Sequence, residues 1–174
     1  YARSLERTES FFWWFCDDYV ELVKSRAYAT HSEEGAASAR AALSRALSTL
    51  QRLFAPILPF ASEEAWSWWQ DGSVHRAAWP TAHGLTEGTT GDADENFLDA
   101  VCGAIALVRR AKTEAKTSQR TAVDKAVVSG TAATVAAVRA GWQDIADAGS
   151  VLAVEWAEKD GDLSVDVTLA PPSE

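Results

Sequence analysis

Arg3, Arg7, Phe11 and Trp14 step by four, four and three residues, so on a helix they share one edge. That edge mixes guanidinium groups with large rings, a combination that can pair with phosphates and stack on bases. The same spacing also fits rings packed beneath a neighbouring helix with the arginines left in water, and the pattern alone leaves both readings open. A second set lies between Arg109 and Lys125, where six basic residues (Arg109, Arg110, Lys112, Lys116, Arg120, Lys125) face two acidic ones (Glu114, Asp124). Arg109, Lys112 and Lys116 are expected on one outer stripe of a helix. In a chain of formal net charge −9, this local excess of four positives leaves about −13 for the rest. Affinity for a polyanion comes largely from Lys and Arg neutralising phosphates. The balance therefore excludes uniform coating of nucleic acid and is compatible with docking one specific polyanion.

No constellation suited to catalysis accompanies these sets. His31, His75 and His83 are not at metal-ligand spacing, and no HxxxH or CxxC pair exists, so no metal site is expected. Asp17 and Asp18 are adjacent, which on a helix turns them roughly 100° apart and prevents their facing one substrate as acid and base. Gly88 and Gly91 have neither the preceding strand nor the following helix start that a phosphate-cradling loop requires. No serine has a GxSxG setting. A binding module is expected, with no catalytic residue and no cofactor of its own.

The elements that would position the two sets follow from periodicity. Phe11 to Tyr28 reads as one helix, with Phe12, Phe15, Cys16, Tyr19, Leu22, Val23 and Ala27 inward. The preceding residues already look helical and begin abruptly, as if a longer bundle had been cut. Ser32 can cap a second helix with Glu33 and Glu34 in its first turn, its stripe running from Leu43 through Leu50 to Phe54. Pro56 and Pro59 make a corner. Ser62 is expected to cap a short third helix carrying Trp66 and Trp69, with Trp66, Trp68 and Trp69 read as packing. SVHRAAWP reads as a strap pinned by Val74 and Trp79, and His75 and Arg76 on it are weaker contact candidates. Residues 81–95 read as a flexible acidic linker, and 96–120 as a basic helix packing on the bundle. Beyond it, KAVVSG, VLAVEWA and LSVDVTLA read as strands, with helical TAATVAAVRAGWQDIADA after the first and a turn-forming Asp160-Gly161 before the last. The expected organisation is a helical bundle over 1–80, the linker, the basic helix, a small strand, helix, strand, strand unit over 121–170, and a tail over 171–174.

Composition agrees with a folded protein, being 47% hydrophobic and 24% charged. The absence of a long apolar run and of a basic-then-apolar leader predicts neither membrane span nor secretory signal, and a cytoplasmic location. Two cysteines, Cys16 and Cys102, on apolar helical faces are expected to be buried thiols and not a disulfide.

TESFFWWFCDDYVELVKSRAY, then LQRLFAPILPFASEEAWSWW and SVHRAAWP, in that order, resemble the anticodon-binding region of valyl-tRNA synthetases, which are class I aminoacyl-tRNA synthetases. ALVRRAKTEAKTSQR continues the likeness to about Arg120. The absence of C-terminal zinc-binding cysteines separates the chain from many isoleucyl enzymes. The resemblance implies a mainly α fold, a helical-bundle anticodon-binding domain followed by a small α+β subdomain, forming a C-terminal fragment of a longer enzyme. That enzyme attaches valine to tRNA with ATP. The implied partners are tRNA(Val) and the catalytic domain of the same enzyme, with no membrane and no DNA. Arg3, Arg7, Phe11 and Trp14 would stack and pair at the anticodon, and Arg109, Arg110, Lys112 and Lys116 would hold phosphates. The HIGH and KMSKS signatures and the editing insert of the family are missing, and the last third lacks the heptads of a coiled-coil arm. The alternative expectation is a helical protein-interaction domain docking another protein or another domain of a synthetase.

Overall fold

The computed structural model describes residues 1–86 and 95–171. In chain order the elements are α1 (Ala2–Trp14), a π-helical segment (Phe15–Val20), α2 (Glu21–Ala27), α3 (Glu33–Phe54), α4 (Pro59–Ser67), a 3-10 turn (Val74–Arg76), α5 (Ala82–Thr86), α6 (Glu95–Glu114), β1 (Val123–Gly130), α7 (Ala132–Ala140), α8 (Trp142–Gly149), β2 (Val154–Glu158) and β3 (Ser164–Leu169). They form two compact units, Tyr1–Val20 with His31–Asp92, and Glu21–Thr30 with Ala93–Glu174. The fold is mainly α, a helical bundle followed by a small α+β part. No helix among the described residues is long and apolar enough to cross a membrane.

The first unit is built on α3, whose N-terminus is capped as its sequence predicts. The Ser32 hydroxyl accepts the Gly35 amide at 3.0 Å, meeting one of the unpaired donors of the first turn. Ala36, Ala39 and Leu50 are buried along it, and Phe12 of α1 meets Phe54 edge-on with centroids 5.6 Å apart. The expected start of the next helix is corrected: α4 begins at Pro59, because proline at the first helical position gives up no needed donor and presets φ. Ser62 therefore lies inside α4 and is buried. Trp66 packs with Ala55 and Val74, while Trp69 donates its indole N–H to the buried Gln51 at 3.0 Å. Glu63 fastens the strap, its Oε2 accepting the Ser73 hydroxyl and the Val74 amide, both at 2.9 Å. Val74 pins the strap as expected, but Trp79 does not, being 60% exposed, and Trp68 is 74% exposed and not packed. Between α1, α3 and α4 an apolar groove of about 500 Å³ is walled by Phe12, Trp13, Leu47, Phe54 and Leu58.

The single helix expected from Phe11 to Tyr28 is instead α1, the π segment and α2. Its apolar face divides accordingly. Phe15 is buried in the first unit, and Leu22 belongs to the core of the second.

In the second unit β1 is the central strand of a three-stranded sheet ordered β2-β1-β3. It runs parallel to β2 (Ala126 opposite Val154, Val128 opposite Trp156) and antiparallel to β3 (Ala126 opposite Val167, Val128 opposite Val165). Because side chains alternate along a strand, these residues share one face. Val101, Ala104, Ile105 and Val108 of α6 join Ala126, Val128, Val138 and Ile145 in one buried cluster. The basic helix expected on the bundle thus packs on this sheet with α7 and α8. The opposite face of the sheet carries the Lys125–Glu155 ion pair at 2.6 Å and the Ser129–Ser164 hydroxyl contact at 2.9 Å. The Asp160-Gly161 turn is present, with Gly161 at φ 124°, but it joins strands that are not neighbours. Cys16 and Cys102 form no disulfide and are half-buried. Of the expected linker, 82–86 form α5, while residues 87–94 lie outside the described residues, as do 172–174 of the expected tail.

Gly141, between α7 and α8, sits so close to α6 that an added Cβ would lie 2.6 Å from a methyl of the buried Val101. Gly141→Ala is expected to destabilise the second unit by about 1 to 3 kcal/mol, as overpacking does. An unchanged urea midpoint, followed by the emission of Trp142 and Trp156, would contradict this.

Candidate nucleic-acid interface

The strip Arg3, Arg7, Phe11, Trp14 is real as a helix edge. Arg3 and Arg7 are exposed on α1, and among the described residues neither makes an ion pair. Phe11 is 44% exposed and stacks on Phe15 with centroids 5.8 Å apart, while Phe15 stacks on Tyr19 at 5.4 Å. Trp14 is half-buried, tilted against Phe11 at 5.7 Å and Tyr19 at 6.2 Å. A buried ring, Phe15, therefore anchors a ladder whose outer member, Phe11, presents an open ring with two guanidinium groups one and two turns away. Such a ladder can be extended by a planar base, and the guanidinium groups can take its phosphates. Trp14 belongs more to the support than to the open surface.

The basic helix is sorted differently from its sequence pattern. Arg110 is exposed and paired with Glu114 at 2.7 Å, one helical turn away; such an exposed pair is worth little and exchanges readily. Arg109 is half-buried. Lys116 is exposed just beyond α6, in a left-handed conformation with φ 54°. Lys112 is the correction. Only 1% exposed, it lies one and two turns beyond Val108 and Ile105 and so continues the apolar stripe, not the outer one. Its ammonium donates to the Gly149 carbonyl at 2.7 Å and the Gln119 carbonyl at 2.9 Å, and it is not presented to any phosphate. Gln119 in turn donates its amide to the Arg109 carbonyl at 3.2 Å and the Thr113 hydroxyl at 3.1 Å. The Thr117 hydroxyl donates to the Lys112 carbonyl at 3.2 Å. The loop after α6, with Lys116 and Arg120 exposed on it, is thereby stitched back onto the helix end. Among the described residues no group of His, Cys, Asp and Glu could hold a metal ion.

With this geometry in view, the sequence matches the anticodon-binding domain of tRNA ligases over residues 1–128. The chain belongs to that family. The match takes in α1 to α6 and most of β1. Relatives extend further. A valine–tRNA ligase of Salinispora tropica is 49% identical over 182 residues, covering 97% of this chain and 21% of that protein. One of Thermobifida fusca is 51% identical over 172 residues, covering 98% and 19%. One of Leifsonia xyli subsp. xyli is 48% identical over 176 residues, covering 100% and 20%. The chain thus spans about a fifth of the length of the curated relatives it matches.

Sequence reasoning missed the exposed rings of this anticodon-binding-domain family member: Trp13 at 61%, Phe60 at 89%, Trp68 at 74% and Trp79 at 60%. The Pro56/Pro59 corner hinted at exposure only for the adjacent Phe60, since a proline turn leaves little helix surface to bury its flanks. Lys112 could have been found, because it keeps the register of Val101, Ile105 and Val108.

Lys112→Met keeps the apolar stem and removes the ammonium, leaving two carbonyls without their donor. Its expected cost is about 1 to 3 kcal/mol, measured as a fall in denaturation midpoint. Burial pushes the Lys112 ammonium down from its ordinary value of 10.5. Unfolding therefore takes up a proton in the window just below that value, and this group's contribution to stability rises with pH there. The Met variant should lack that rise, and a stability unchanged by the substitution would refute the role.

Proposed function

We propose that this chain is the anticodon-binding part, C-terminal to the catalytic domain, of a valine–tRNA ligase, and that its partner is tRNA(Val). The parent enzyme would activate valine with ATP and transfer it to tRNA in the cytoplasm, the chemistry residing in the catalytic domain. The observation that carries this reading is the alignment of nearly the whole chain, 97% to 100%, with proteins named valine–tRNA ligase. Arg3, Arg7 and Phe11 are the candidate base-stacking and pairing residues, with Trp14 supporting them, and Arg109, Arg110 and Lys116 are the candidate phosphate contacts. Lys112 acts in this scheme only by holding the loop that carries Lys116. One observation favours the second reading, a protein-docking bundle: the apolar groove beside Trp13. Ionic strength separates the two, since phosphate-based binding weakens steeply with salt and apolar docking does not.

Replacing Arg109, Arg110 and Lys116 by Ala in the full-length enzyme should raise the KM for tRNA and flatten its salt dependence, the slope falling by about 2 to 3. Valine-dependent pyrophosphate exchange should stay unchanged; equal loss of both activities would overturn the reading.

Phe11→Ala and Trp14→Ala should differ. Phe11→Ala should melt close to the unsubstituted chain while losing roughly five- to 150-fold in tRNA affinity, the worth of one stacked base. Trp14→Ala should melt earlier, because its larger ring is half-buried whereas that of Phe11 is exposed. Early melting of both with no binding defect beyond the unfolded fraction would make the strip core only.

A further inference from the structure

The turn that ends α6 holds a lysine where backbone chemistry favours glycine. The Lys116 amide donates to the Thr113 carbonyl and the Thr117 amide to the Lys112 carbonyl, both at 3.0 Å, and Lys116 itself is left-handed with φ 54°. This paired closure of a helix end usually puts glycine at the left-handed position, because a Cβ there crowds the following carbonyl. Ala29 and Ser150 share the conformation, but only Lys116 brings a charge to it. A side chain kept on an unfavourable backbone points to a use for that side chain.

Residues 115–122 join α6 to β1, and the contacts of Thr117 and Gln119 already described hold the middle of this loop to the helix end. Its exit is held as well. The Thr121 amide donates to the Ser118 carbonyl at 2.9 Å, the Arg120 amide to the Ser118 hydroxyl at 3.2 Å, and the Ala170 amide to the Ala122 carbonyl at 2.9 Å. Arg120 is exposed on this turn, as Lys116 is on the one before it. Among the described residues neither side chain makes an ion pair or a hydrogen bond. Glu114, the acid nearest to Lys116 in sequence, is taken up by Arg110, and Asp124, four residues beyond Arg120, makes no ion pair with it. Four residues of chain span at most about 14 Å, so both cations can reach phosphates of one backbone. A loop already fixed at both ends and in its middle loses little freedom when it does.

We propose that residues 115–122 form a phosphate-binding loop for an RNA backbone, with Lys116 and Arg120 as its contacts. The proposal rests on the reading of the chain as a tRNA-binding module and adds Arg120 to the residues that meet phosphate. Phosphate contacts position a nucleic acid and carry no base information, so this loop supplies affinity without choosing among tRNAs.

The test is the affinity of the full 174-residue chain for two fluorescent transcripts, a valine tRNA and a tRNA with another anticodon. Anisotropy is followed across a salt series, with melting temperatures measured alongside. Arg120→Ala should weaken both complexes by the same factor, roughly three- to tenfold at about 0.1 M salt, and lower the slope of log affinity against log salt by about 0.7 to 0.9, the counterions of one phosphate. Its melting should not change, since the side chain has no partner to lose. Lys116→Gly should melt about 2 to 4 °C higher, because glycine suits the left-handed position, and yet bind more weakly with a similar loss of slope. A glycine variant that melts lower would show that the lysine serves the fold, and one that binds like the unsubstituted chain would remove it as a contact; either overturns its assignment. An unchanged salt slope in Arg120→Ala would overturn that of Arg120. A loss confined to the valine transcript would make the loop a reader of bases and overturn the proposal equally. Failure of the unsubstituted chain to bind either transcript at low salt would instead bring down the tRNA-binding reading, and the loop with it.

Discussion

An ammonium group cannot be taken from water without acceptors, and the second unit is arranged around meeting that demand at Lys112. Leaving an ion buried and unpaired costs several kcal/mol. Here the acceptors are the carbonyl of Gly149 at the end of α8 and that of Gln119 in the loop after α6. The former lies where a helix has carbonyls without intrahelical partners and carries the negative end of its dipole. One side chain thus ties together two helix ends and a loop. Gly149 itself is closely surrounded, since an added Cβ would meet methyls of Val151, Ile105 and Val108 at 3.2 to 3.3 Å and those neighbours would have to give by a few tenths of an ångström. The close approach that the lysine requires is the one that glycine permits.

Much of the architecture was legible. The Ser32 cap, the proline corner, the three strands and a helical stretch between the first two of them all follow from local chemistry, and the structure has each, the stretch being divided at Gly141 into α7 and α8. What failed did so for identifiable reasons. Lys112 was read by its charge, although its position places it on the buried stripe. The π segment Phe15–Val20 left no mark on the apolar spacing, because an i to i+5 bond is a backbone choice that side-chain periodicity does not encode. Trp79 and Trp68 were read as packed because large rings usually are. Which rings a bundle leaves outside depends on where the strap and α4 run, and no local pattern carries that. Of the strip, spacing gave the helix edge, but only burial in the fold distinguishes the open Phe11 from the half-buried, supporting Trp14.

Several of the chain's cations are paired with acids close by. Arg26 is held by Asp144 at 2.9 Å in a half-buried pair, Lys125 by Glu155 across the sheet, and Lys24 and Arg110 by glutamates one turn away. Against that background Arg3 and Arg7, beside an open ring, stand out. An acidic protein repels nonspecific polyanions over most of its surface and attracts one only where cations cluster, so net charge −9 is compatible with selective binding of an RNA partner.

The central position of β1 also governs the order in which the protein can be made. Both strands that pair with β1 follow it, β2 only after α7 and α8, and β3 last. As the chain leaves the ribosome, the apolar Val123, Ala126 and Val128 therefore emerge with no partner strand on either side. The roughly 40 residues that complete the sheet take about 2 to 8 s to add at ordinary synthesis speeds. Through that interval α2 and α6 have been synthesised, but the layer they cover is unfinished. Slow, non-local closure of this kind exposes an unpaired strand to neighbouring nascent chains. Nascent β1 is thus the segment of this protein on which a chaperone would act.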